Sequence, residues 1–400
     1  MSAFPACRHA KRKSAARAGL RWLASEPFRV FFVSGVLWSM AGVLLWPLFY
    51  AGWLAQYPGL IHARLMIEGF GGAFVIGFLG TAGPRMASAP KLTVAELVVL
   101  FALHQAGAVC HLRMHHAWGD LLFAFLLALL MGALVLRVAR FRKEMPPPQL
   151  LLALTGLACG IAGALILGVP GLAATPERLR LAGLLLYQGL LLAPTLGIGS
   201  FLFPRMLGGA FGEPGSAREA GAKRRRAVIA AVLLVGSFFL EADGWMAAGV
   251  LLRLGVAAGY LLLEVRWWRQ PDVAQRGTLA RGLLWALGSG AAGLALAAVF
   301  PVQRVSVEHL LYAGGFGLLM LVVGSRVLFG HSGEVEGFER RSWTARTLIF
   351  LALLAAATRA TTGFLPHLTV THHVYAALTW AAVGGLWLAW HWRRFGRREE

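Results

Sequence analysis

Apolar residues fall along this chain in blocks of about twenty, separated by short stretches that hold most of the arginine and lysine. No strand-like alternation interrupts the blocks, so the pattern predicts helices long enough to cross roughly 30 Å of hydrocarbon. Twelve blocks stand out: 30–51, 60–83, 92–112, 116–138, 149–170, 181–203, 227–241, 244–264, 280–300, 308–329, 347–364 and 373–392. The seventh is short, and Arg359 interrupts the eleventh. The expectation is an all-α, polytopic membrane helix bundle of about twelve transmembrane helices.

Composition agrees, since 58% of the 400 residues are hydrophobic, 14% are charged, and the mean hydropathy is +0.66. A net charge of +20 would suggest nucleic acid in a soluble chain. Here the basic residues sort by side. With the N-terminus inside, segments 1–29, 84–91, 137–146, 204–226, 265–281, 326–346 and 393–400 hold 31 of the 38 Lys and Arg. This alternation follows the positive-inside rule, puts both termini in the cytoplasm, and excludes nucleic acid as a partner in favour of anionic lipid headgroups. Residues 1–29 read as a basic cytoplasmic segment too long for a signal n-region, 30–392 as one twelve-helix transmembrane domain, and 393–400 as a short charged tail. Cys7, Cys110 and Cys159 are isolated, which implies neither a structural disulfide nor covalent c-type haem attachment.

An internal echo runs through the blocks. Pro84-Arg85-Met86 closes the second, Pro204-Arg205-Met206 the sixth 120 residues later, and Arg326 the tenth 121 residues after that. The spacing suggests three parallel four-helix repeats with these arginines at equivalent inner positions, although arginine is common at inner helix ends in any case. Gly69, Ala73 and Gly77 are spaced by four, as are Gly156 and Gly160. Small residues at that spacing let backbones approach closely, so the second helix is expected at the centre of the bundle.

Nine of twelve histidines fall near the outer side: His62, His104, His111, His115, His116, His309, His367, His372 and His373. Neutral imidazole is the commonest nitrogen ligand for haem iron and copper, and clustering at one depth would bring ligands from several helices to a common centre. Histidine also favours interfaces, and that reading suits the loop residues His111, His115 and His116. His62 and His309 open helices with glycine-rich faces, while His104 lies two turns inside the third helix. Glu68, about 12 Å into the bilayer, and Arg253, near mid-depth, are costly there and need a partner or a wet cavity. They could pair with each other; alternatively Arg253, Arg64 or Arg359 could receive a haem propionate.

Three stretches together resemble the NnrS family of membrane proteins: "EPFRVFFVSGVLW", "HARLMIEGFGGAFVIGFLGTAGP" and "HLLYAGGFGLLMLVVGSRVLFGHSG". The resemblance extends over nearly the whole chain in length and helix count. It implies a bacterial inner-membrane protein that binds haem, with copper as a second metal, and acts in the response to nitric oxide during denitrification. It carries over His62, Met66, His309, Arg326 and His331 as candidate site residues, with His104 or His372 as substitute haem ligands. The chain departs from the family pattern at the second helix, where His-x-His-Glu-Met becomes His62-Ala63-Arg64-Leu65-Met66, and where Pro84-Arg85-Met86 replaces Trp-Thr-Gly. One metal site of the family is therefore expected to be altered.

The resemblance leaves two other classes open. Glu68, His104 and Arg253 could form the path of a proton-coupled transporter, or the protein could be an assembly subunit of a respiratory complex. No nucleophile triad, P-loop, Rossmann glycine pattern or H-E-x-x-H motif is present. Redox chemistry would then rest with a cofactor, with respiratory electron carriers and nitric oxide as partners.

Overall fold

The computed structural model describes residues 18–269, 277–334 and 336–397. Most of the basic segment 1–29, with Cys7 and His9, and the last three residues of the tail lie outside the described residues.

Among the described residues twelve long helices account for the twelve apolar blocks. They are α1 (Phe28–Tyr50), α2 (Gly59–Met86), α3 (Val94–Leu112), α4 (His116–Phe141), α5 (Leu150–Gly168), α6 (Pro176–Met206), α7 (Ala217–Ala242), α8 (Met246–Val265), α9 (Thr278–Val299), α10 (Arg304–His331), α11 (Trp343–Thr361) and α12 (Thr369–Phe395). Among the described residues nine are both long and apolar enough to cross a membrane. The other three, α7, α11 and α12, have the length but carry more polar residues. The apolar block at 227–241 is short because helical hydrogen bonding in α7 starts well before the apolar residues do. Ser216 caps the Glu219 N–H, and the basic run Lys223 to Arg226 rides on the helix ahead of its apolar part.

The helices form three consecutive units of four. Within each, the first helix packs on the second and the third on the fourth; α4 then packs on α5, α8 on α9, and α12 on α1, which closes the ring. The second helix of each unit lies innermost. In α2, α6 and α10 some 83, 72 and 61% of the most apolar stretch is buried, against 33 to 56% in the other six apolar spans. These three helices also share a π-helical segment in their N-terminal half, at Leu65–Gly71, Leu185–Gly189 and Leu310–Gly317. Such segments shift side-chain direction within an otherwise continuous helix and concentrate at functional sites.

The repeat expected from the sequence is visible in this architecture, but its register needs correction at Arg326. Arg85 and Arg205 each sit one residue before the end of their helix, whereas α10 continues five residues past Arg326 to His331. The π segment of α6 begins 120 residues after that of α2, and that of α10 begins 125 after that of α6. Arg326 matches the spacing in sequence while His331 occupies the helix end.

Glycine sets how closely neighbours approach. A Cβ at Gly77 would lie 3.1 Å from Cα of Phe28, one at Gly163 2.7 Å from the Ala182 carbonyl oxygen, and one at Gly293 2.5 Å from the Leu311 nitrogen. Each contact joins the first and second helix of one unit. Larger side chains would push the central helices off their neighbours.

Candidate functional site

Three histidines from α2, α10 and α12 line one cavity of about 310 Å³ at the end of the bundle where these helices begin. His62 and His309 lie in the first turns of their helices, just ahead of the π segments, and His373 lies in the first turn and a half of α12. His62 Nδ1 is 3.1 Å from the Gly42 carbonyl oxygen, and His309 Nδ1 is 2.7 Å from that of Val305. A carbonyl can only accept, so Nδ1 of both rings carries the hydrogen and Nε2 keeps its lone pair. Neither Nε2 has a protein partner among the described residues. His373 Nδ1 meets the Tyr50 hydroxyl at 2.8 Å. The Trp46 ring packs edge-on against both His62 and His373, with centroids 5.9 and 4.5 Å away.

Polar groups in the cavity wall are few. Met66, one turn after His62, adds a thioether; Tyr187, Tyr312, Glu308 and Arg359 add oxygen and guanidinium groups. The Trp380 indole N–H, 3% exposed, has no hydrogen-bond partner among the described residues. Imidazoles held through Nδ1 with Nε2 free, in a largely apolar cavity, suit the binding of a metal-centred group, because the hydrogen bond fixes ring orientation and raises ligand basicity.

Two charged networks border this cavity. In the first, the buried Arg64 guanidinium grips Asp120 (Nε to Oδ1 2.6 Å, Nη2 to Oδ2 3.1 Å), lies 3.4 Å from Glu68, and donates to the Tyr187 hydroxyl. His111, wholly buried, places Nε2 3.0 Å from Glu68 Oε2 and stacks on His116. One ligand atom each from Glu68, His111 and Asp120 lie within 4.8 Å of one another, an arrangement that could hold a metal ion. Arg64 already supplies a cation there, paired with both carboxylates.

In the second network Arg253 donates to Glu241 at 2.7 Å and to the Gln188 side-chain Oε1 at 2.6 Å. Arg304 joins Glu241 to Glu308, and Gln188 reaches both Glu308 and Tyr312. A direct Glu68–Arg253 pair, admitted from the sequence, is therefore not formed. Each has its own counter-charge in a different repeat.

The structure brings His62, Met66 and His309 together and leaves the other expected site residues elsewhere. His104 spends Nε2 on the Gly69 carbonyl and Nδ1 on the Gln105 amide, which ties α3 to α2 and leaves no nitrogen for a ligand. His372 turns to the Thr361 hydroxyl, while its neighbour His373 lines the cavity. His331 is at the opposite end of the bundle, bonded to Glu26 and Arg85, and Arg326 lies in the same end of α10. The path open to a transporter, through Glu68, His104 and Arg253, is split between separate networks.

Sequence reasoning misses Asp120, and it names His111 and His373 only among the nine outer histidines without singling either out. Asp120 is the lone acid in a run of apolar residues in α4, a signal comparable to that of Glu68 but weakened by its nearness to a loop. His111 reads as an interface histidine, and His373 has no sequence feature that sets it apart from His372.

A family model described as NnrS protein matches residues 22–398. No curated protein matches the chain.

Proposed function

We propose, from the premise that this chain belongs to the NnrS family, that it is a multi-pass haem protein of the bacterial inner membrane acting in the response to nitric oxide. The observation that carries this reading is the pair His62 and His309, from two central helices, each with Nδ1 fixed by a backbone carbonyl and Nε2 free in one cavity. His62 and His309 would hold the haem through their free Nε2 atoms, and His373, which lines the same cavity, is a third candidate in place of His104 or His372. A haem bound there supplies an iron centre that exchanges electrons and takes diatomic ligands. The chain's own part is to orient the imidazoles, wall the site with Trp46 and Trp380, and limit water to the outer mouth.

Copper is the second metal of this reading, and Met66 beside His62 offers a soft thioether suited to it. The family's second histidine is replaced by Arg64, whose cation is committed to Glu68 and Asp120, so copper at that point is disfavoured here. The N- and C-termini are cytoplasmic in this proposal, with the basic inner loops against anionic headgroups and a respiratory electron carrier as redox partner.

The test is optical. Purified protein from haem-replete cells should show a Soret band that shifts on dithionite reduction, and His62→Ala or His309→Ala should remove or shift it without loss of folded yield. Normal spectra in both variants would remove the two as ligands. A colourless wild type would remove haem from the proposal.

A further inference from the structure

Arginine inside a membrane bundle is expensive unless its charge is answered. Three arginines reach into the outer half of this bundle from their helices: Arg64, Arg253 and Arg359. The first two are answered, and so is Arg304, because the four buried carboxylates of this half, Glu68, Asp120, Glu241 and Glu308, are all engaged by these three cations. Arg359 is different. It has no carboxylate within salt-bridge distance among the described residues, and its guanidinium donates instead to two neutral hydroxyls, those of Thr362 and Ser306. Those hydroxyls bond each other at 3.1 Å, which holds the guanidinium in place at the junction of α10 and α11.

The place where it is held is the wall of the histidine cavity. Arg359 shares that wall with His309, His373 and Trp380. A cation without a carboxylate partner, held in the wall of a cavity, calls for an anionic oxygen. Snorkelling to the outer surface would explain an arginine at a helix end, but a snorkelling side chain would not be clamped by hydroxyls from two helices beside a cavity.

We infer that Arg359 is the anion-binding residue of the histidine cavity, and that its ligand is a carboxylate or small oxoanion. Two sources share this chemistry: a propionate of a bound haem, which rests on the function proposed above, and a free oxoanion such as nitrite, which does not.

The experiment uses wild type, Arg359→Gln and the charge-preserving Arg359→Lys, purified in detergent and checked for monodispersity. Apo-protein is titrated with haem b and, separately, with haem b dimethyl ester, whose carboxylates are uncharged; thermal midpoints are measured in sodium nitrite and in sodium chloride at equal ionic strength. If a propionate is the ligand, Arg359→Gln weakens haem b by about tenfold or more while Arg359→Lys retains most of the affinity. The dimethyl ester then binds wild type and Arg359→Gln alike. If a free oxoanion is the ligand, nitrite raises the midpoint of wild type and Arg359→Lys but not of Arg359→Gln, even when no haem binds; that result sustains the anion site and sinks the haem. Equal haem affinity in wild type and Arg359→Gln, with no nitrite effect on either, would overturn the inference.

Discussion

Removing the Arg64 guanidinium would leave Glu68 and Asp120 buried without their cation, with side chains exposed by only 4 and 2%. Breaking a buried ionic group from one side typically costs about 3–5 kcal/mol, because the remaining charge has no solvent to return to. Arg64→Met should therefore lower the thermal midpoint strongly, and adding Asp120→Asn should recover part of the loss; an unchanged midpoint in the single variant would refute the network's role. At the opposite end of the bundle Glu26 gives a prediction in pH. Burial would raise its pKa, but hydrogen bonds from His331 and Arg29 outweigh that and lower it from 4.5 to about 2. A carboxylate with a depressed folded-state pKa contributes stability above its unfolded value, and the contribution fades as pH falls from about 4.5 toward 2. Wild type should lose stability across that window more steeply than Glu26→Gln, as followed by thermal melting in detergent; parallel curves would contradict the assignment.

Helices α2, α6 and α10 combine close glycine contacts with a π segment, and each feature constrains the other. The π segment turns the side chains that follow it, while glycines at the contact with the preceding helix let the central helix sit close enough for the turned side chains to meet across the bundle. In α9, a Cβ added at Gly293 would lie 2.5 Å from the Leu311 nitrogen, whereas Gly288 on the same helix has open space. Gly293→Leu should destabilise by about 1–3 kcal/mol or more through overpacking and displace His309 with the start of α10. Gly288→Leu, which also relieves helix-interior glycine, should be neutral or mildly stabilising. Equal melting of the two variants would show that the α9–α10 approach is not set at Gly293. At this scale the helices are legible from the length of the apolar runs, but their ends are not. The α7 start at Ser216 depends on capping and on basic residues that a helix can carry beyond the hydrocarbon, and the π segments have no signature in hydropathy.

Closure of three four-helix units into a ring makes orientation a property of the whole chain, since one inverted helix would break both the ring and the charge sorting. Alkaline phosphatase fused near residues 55, 114, 174, 242, 304 or 368 should be active, and fusions at 143 or 222 inactive; activity at either inner position would reverse the proposed topology. The sequence by itself determined that this is a helical membrane protein and how many long helices the described residues form, and it suggested the repeat, because hydropathy, basic-residue sorting and small-residue spacing are summed over many residues and survive local exceptions. It also brought forward His62, Met66 and His309, which belong to the two helices richest in family-like motifs. Only the tertiary structure decided that His373 joins them rather than His104 or His372, that Arg253 answers Glu241 and not Glu68, and that Arg359 alone of Arg64, Arg253 and Arg359 lacks a carboxylate partner among the described residues. Those outcomes depend on which helix faces meet across the ring, and a one-residue shift in a π segment changes them while leaving the apolar pattern of the chain unaltered.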